Sequence, residues 1–250
     1  MQKIYDNRNQ DMIEDTLKKR TNITFFSKKV PEKQVIKDIL EKAQQLTPHK
    51  NNFWHYELAV YGPEHVEQKK MLALSTVCNE HLKYYRQDNL KDEDWRKLKQ
   101  AYNDWIDYHN GDQSKDYVMK DKWHFNEQVT APYLLAYYPS PIKIRESQTQ
   151  DKYFTSGRAK KVFRSVTSVS TDEFNQQSGM NAMVITMLAI EKGLDVSYTK
   201  CYFYNQAIHT DIMARGKPAF LLGIGYEDKT KRHYKTKLKK PTIDEVIKWQ

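Results

Sequence analysis

The chain has 250 residues, 29% of them charged and 12% aromatic, with a formal charge of +9 and only 8 Gly and 8 Pro. This is globular composition, long enough for a sizeable core, and it excludes collagenous, low-complexity and repeat architectures. The two cysteines, Cys78 and Cys201, lie far apart, the start MQKIYDNRNQD has no apolar stretch, and no run approaches about eighteen apolar residues, so neither a disulfide framework, secretion nor membrane spanning is expected and a reducing, cytoplasmic compartment is the default.

In chain order, residues 10–20 put Met12, Ile13 and Leu17 on one helical face and end in a cationic turn that complements the helix dipole. The segment KKRTNITFF follows. Val30 to Leu46 opens with Pro at a first-turn position and carries Val35, Ile36, Ile39, Leu40 and Ala43 at helical spacing, which predicts an amphipathic helix packed on the core. TPHKNNFWHYELAVYG then predicts a loop and a strand. From Pro63 to about Asn126 the pattern is helical, with Trp95, Leu98, Tyr102 and Trp105 on one face and no chemical motif. Cys78 and His81 have ligand spacing, but no second pair accompanies them, so they are expected to be ordinary core or surface residues.

VTAPYLLAYYPS, residues 129–140, is an apolar run bounded by Pro and predicts a buried strand. Residues 141–173 are polar and aperiodic, an excursion loop. Gln176 to Gly193 has Met180, Met183, Val184, Met187, Leu188 and Ile190 at helical spacing with Ala182 and Ala189 between them, so it predicts a helix apolar around most of its girth, buried at the centre of the core. Gly179 would allow close approach of backbone or ligand, and Gly193 would end the helix in the left-handed region. Leu194 to Tyr202 reads as a strand, Asn205 to Arg215 as a short helix and KPAFLLGIGYED as a further strand. Gly223 and Gly225 lack the third glycine and following helix of a dinucleotide fingerprint. KTKRHYKTKLKK, residues 229–240, holds seven basic residues, which alone would make a generic phosphate or nucleic-acid patch.

Five of these segments, Lys18–Phe26, Val30–Tyr56, Val129–Tyr138, Gln176–Tyr202 and Lys217–Val246, together resemble the FMN-dependent nitroreductase family in order and spacing. Gly179, Ala182, Ala189 and Gly193 fall where the family's central helix has small residues. KKRTNITFF resembles the family's Arg-x-Ser-x-Arg-x-Phe in either of two registers, Lys19, Thr21, Ile23 and Phe25 or Arg20, Asn22, Thr24 and Phe26, and neither supplies the second Arg. The loop after the amphipathic helix resembles Ala-Pro-Ser-x-x-Asn-x-Gln-Pro-Trp, with Pro48 and Asn52 matching and His49 at the Ser.

The resemblance implies an α+β, nitroreductase-like three-layer fold, a central antiparallel sheet wrapped by helices. One domain would span residues 1–250, with a helical insertion at about 63–127, in an intertwined homodimer with FMN at the subunit interface. Lys19, Arg20, Thr21 and Asn22 would serve the FMN phosphate and ribityl chain, Arg20 being best fitted to a dianion. His49, Lys50 and Asn52 would reach the ring's carbonyl and N1 edge, Tyr198, Lys200 and Cys201 would form the turn laid against the flavin, and Lys237 or Lys239 would reach the phosphate. The implied activity is ping-pong: NADH or NADPH delivers a hydride to flavin N5, and a nitroaromatic, quinone or similar electron-poor acceptor takes it. The flavin carries the chemistry, so no catalytic side chain and no metal are expected. The competing class is a non-enzymatic nucleic-acid or partner-binding protein on such a fold that has lost its flavin.

Overall fold

A computed structural model describes residues 14–49, 53–66, 68–69, 72, 93, 96, 100, 103–104, 127–140, 171–200, 218–230 and 241–247. The expectations for most of the helical insertion, for the helix at 205–215, and for Lys50, Asn52, Cys201, Lys237 and Lys239 lie outside the described residues.

Helix α1, Lys33–Leu46, buries Ile36, Ile39 and Ala43 at steps of three and four and turns its charged positions to solvent. Pro31 precedes the cap residue Glu32 rather than entering the first turn. At the other end the Thr47 backbone N–H and hydroxyl both donate to the Ala43 carbonyl, at 2.9 and 2.6 Å, satisfying an acceptor the helix would leave open.

Strands β1 (Tyr56–Tyr61), β2 (Tyr133–Pro139), β3 (Asp195–Thr199) and β4 (Phe220–Gly225) form a four-stranded antiparallel sheet in the order β1-β2-β4-β3. The register aligns Leu58, Tyr137 and Phe220 in one row and Val60, Leu135, Leu222 and Tyr198 in the next. These rows face the helices. The opposite face is buried too, through Leu134, Ala136 and Leu221, which is why β2 reads as an unbroken apolar run instead of an alternating one. A Cβ at Gly225 would stand 2.6 Å from Pro132 and 2.8 Å from the Phe26 ring, so this glycine admits close packing over the sheet and has no part in a phosphate loop.

Helix α2, Thr171–Glu191, begins ahead of the expected Gln176 and absorbs the end of the expected excursion loop. Asp172 and Glu173 in its first turn meet the positive end of the helix dipole and stabilise the earlier start. It ends as expected: Gly193 has φ +72°, its N–H donates to Ile190, and the N–H of Leu194 donates to Ala189, the double bond pattern of a Schellman cap. The expectation that α2 is buried all round is corrected. Its packed face carries Gln177, Ser178, Asn181 and Thr186 among Phe174, Ala182, Ile185 and Ala189, while Met180 and Met183 are 40% and 37% exposed. A Cβ at Gly179 would meet nothing within 4 Å, so among the described residues the glycine serves no close approach.

Two further pieces stand among the described residues. Residues 22–27 run along its β3 side, with Asn22 bridging Val196 and Phe26 bridging Glu227. A short helix α3, Ile243–Val246, starts with Thr242 and Glu245 in a capping box. Among the described residues no helix is long and apolar enough to cross a membrane.

Candidate functional site

The register places four aromatic rings side by side on the helix-facing side of the sheet. Tyr56 and Tyr137 have centroids 5.6 Å apart, Tyr137 and Phe220 stack at 4.4 Å, and Phe220 and Tyr198 stand 6.4 Å apart. The hydroxyls of the three tyrosines need partners, because Tyr56 and Tyr137 are buried and Tyr198 is half-buried. Tyr137 donates to Asn181 Oδ1 at 2.8 Å, and Tyr198 donates to the Ala182 carbonyl at 2.9 Å and shares a hydrogen bond with the Thr186 hydroxyl. The polar side of α2 is thus the complement of the tyrosines on the sheet.

Burial pushes the Tyr56, Tyr137 and Tyr198 hydroxyls above the ordinary phenol value. At Tyr198 the Thr186 bond and the Arg20 guanidinium act in the opposite sense, which puts Arg20 within electrostatic reach of that hydroxyl.

At the β1 end, His49 Nδ1 lies 2.7 Å from the Thr47 carbonyl and its ring stacks on Trp54 at 3.6 Å. Desolvation lowers its pKa below the ordinary 6.5, the Thr47 carbonyl opposes this and nearby His55 adds to it. His55 itself is buried, with Nε2 at 3.1 Å from Glu173 Oε2 and its backbone N–H on Gln177 Oε1 at 3.1 Å, tying the loop before β1 to the first two turns of α2.

Between α1, β1 and α2 opens a cleft of about 570 Å³, walled by Trp54, Tyr56, Leu58 and Ile185 with Glu41 and Glu57 in its lining. The lining has two carboxylates and no Lys or Arg among the described residues, so a phosphate is disfavoured there. Exposed cations stand at the opposite, β3 edge of the sheet. Lys19 and Arg20 precede the bridge at Asn22, and Lys200 follows β3. Asn22 Oδ1 accepts from the Tyr198 N–H at 2.7 Å and Thr21 donates to the Lys19 carbonyl at 3.3 Å, so both already serve the local backbone. Lys19 and the planar fork of Arg20 fit a single phosphate by charge and exposure.

The structure therefore brings Arg20, Asn22 and Tyr198 together and sets His49 in a separate cluster at the β1 edge. Sequence reasoning missed Thr47, Asn181, Tyr137 and the His55 and Glu173 pair. The one available signal was the run of polar residues recurring at helical spacing opposite the methionines of α2.

No protein-family model and no curated protein sequence matches the chain. Solved structures do. A nitroreductase family protein from Streptococcus pneumoniae TIGR4 is 13% identical with a TM-score of 0.55, covering 95% of this chain and 99% of that one. A single-residue variant of the FMN and NADPH-dependent nitroreductase NfnB from Sphigopyxis sp. strain HMH is 16% identical with a TM-score of 0.57, covering 95% and 98%. A protein from Exiguobacterium sibiricum 255-15, assigned as a nitroreductase and solved in complex with FMN, is 18% identical with a TM-score of 0.59, covering 95% and 97%. The antiparallel sheet with its packed helices defines an α+β protein. More particularly, its fold is the nitroreductase fold.

Proposed function

We propose that the protein is an FMN-dependent NAD(P)H oxidoreductase that reduces nitroaromatics, quinones or similar electron-poor acceptors, working as a single-domain, cytoplasmic homodimer. The observation that carries this reading is the fold correspondence along 95% of the chain with proteins described as FMN-dependent or bound to FMN. Bound FMN would supply two-electron hydride chemistry between NAD(P)H and the acceptor.

The chain's own residues would hold and orient that group. Arg20 and Lys19 neutralise the phosphate, helped by Lys237 or Lys239, while Thr21 and Asn22 shape the turn that presents them. Tyr198, Lys200 and Cys201 line the ring, and Lys50 and Asn52 donate to its carbonyl and N1 edge. His49, whose Nδ1 is engaged by Thr47, contributes by holding that loop. The exposed Met180 and Met183 of α2 support a homodimer, since a second copy would cover them.

The test is a spectrum followed by a titration. The purified chain should carry or take up FMN, and Arg20→Ala should weaken FMN binding by about 2 kcal/mol, roughly thirtyfold, with the fold intact. An unchanged dissociation constant would move the phosphate role to Lys19. Replacing Lys237 and Lys239 with Gln should also strip FMN; if flavin content stays and salt-sensitive DNA binding weakens instead, the competing nucleic-acid reading gains.

A further inference from the structure

We infer that Asn181 and Thr47 form a clamp, reaching from the central helix to the end of α1, which fixes the loop that opens at Pro48 and holds His49 as its Nδ1–H tautomer. The clamp is a chain of hydrogen-bonded groups. Tyr137, fully buried on β2, donates to Asn181 Oδ1 at 2.8 Å; Asn181 Nδ2 donates to Thr47 Oγ1 at 3.0 Å. The Thr47 hydroxyl passes its own proton to the Ala43 carbonyl at 2.6 Å, and its backbone carbonyl faces His49 Nδ1 at 2.7 Å. A carbonyl only accepts, so Nδ1 carries the proton and Nε2 keeps the lone pair, turned to the Tyr56 hydroxyl at 3.5 Å.

Each link has one consistent direction of donation. Asn181 must present its oxygen to the tyrosine and its nitrogen to the threonine, which in turn leaves the Thr47 hydroxyl proton for Ala43. Thr47 is thereby held through its N–H, its hydroxyl proton and its hydroxyl oxygen. The stacked pair His49 and Trp54 is the part of the loop this rigid start orients, and Trp54, Tyr56 and Asn181 all border the cleft. Asn181 and Thr47 are positioning residues: they act on the loop through His49. Their value for flavin binding rests on the function proposed above; the tautomer does not.

The experiment uses the full chain labelled with ¹⁵N-histidine, with the His49 signals identified by their loss in His49→Gln. Wild type should give His49 as the Nδ1–H form across neutral pH. Thr47→Val, which keeps shape and removes only the hydroxyl, and Asn181→Leu should both admit the Nε2–H form, and Thr47→Ser should restore the wild-type signals. The same samples, titrated with FMN, should show affinity about fivefold weaker in Thr47→Val. An unaltered His49 tautomer in Thr47→Val overturns the clamp, whether or not Asn181→Leu folds. A lost tautomer with unchanged FMN affinity supports the clamp and counts against the loop's part in holding flavin.

Discussion

The two long described helices share one core and bury their inner faces in opposite ways. Helix α1 buries a purely apolar stripe and exposes its charges. Helix α2 buries four polar side chains and leaves two methionines in the open. The difference follows from what each one meets. The stripe of α1 packs chiefly against α2 in a shared apolar core, whereas α2 lies over the hydroxyls of Tyr137 and Tyr198, which are worth more bonded than merely covered. An apolar side chain on a helix is therefore no guide to which face is inward when the opposing layer is polar.

That contrast can be broken first at α1. Ile39→Ala opens a cavity in the apolar stripe and should cost about 2–5 kcal/mol in chemical denaturation, whereas Lys37→Ala on the outer face should stay within about 0.5 kcal/mol. Equal effects would mean that the stripe is not the packed face. At α2 the sharper change is Asn181→Leu, which makes the inner face more apolar. It strands the buried Tyr137 hydroxyl and should destabilise by about 1–3 kcal/mol, with part recovered in the double variant with Tyr137→Phe. A stabilised Asn181→Leu would contradict the idea that polarity inside α2 answers the sheet.

Smaller effects are expected beyond the two packed faces. His49, hung from the α1 cap, has its pKa lowered in the folded chain, so the unfolded chain binds the proton first. Stability should accordingly fall as pH drops through the ordinary 6.5 towards the lowered value, and that component should vanish in His49→Gln. A slope that is the same in both proteins would remove His49 from the account. Smallest of all for monomer stability, Met180→Lys with Met183→Lys should change it by no more than about 0.5 kcal/mol while shifting sedimentation from dimer towards monomer. A monomeric wild type, or a variant that sediments unchanged, would leave the methionine face unexplained.

The sequence told more about strands and caps than about the site. Alternation and β-branching located β3, the Pro-bounded apolar run located β2, the family resemblance pointed to β1 and β4, and Gly193 announced its cap, the first two and the last being local signals. The start of α2 was hidden, since Thr171 to Gln177 is mostly polar and resembles a loop until the acidic first turn is set against the helix dipole. The inward face of α2 was hidden for another reason: Asn181 and Thr186 become core residues only when Tyr137 and Tyr198 stand opposite them, and that pairing spans 44 residues in one case and 12 in the other. Arg20 and Asn22 were legible as a basic turn, but the link from Asn22 to the Tyr198 N–H joins segments 176 residues apart.

The most direct test of the central claim is the flavin itself. Purified protein, incubated with FMN and desalted, should show the flavin absorbance bands, release FMN and not FAD on denaturation, and oxidise NADH or NADPH when a quinone is supplied. A chain that remains colourless after the same incubation would contradict the account and leave a nitroreductase fold put to another use.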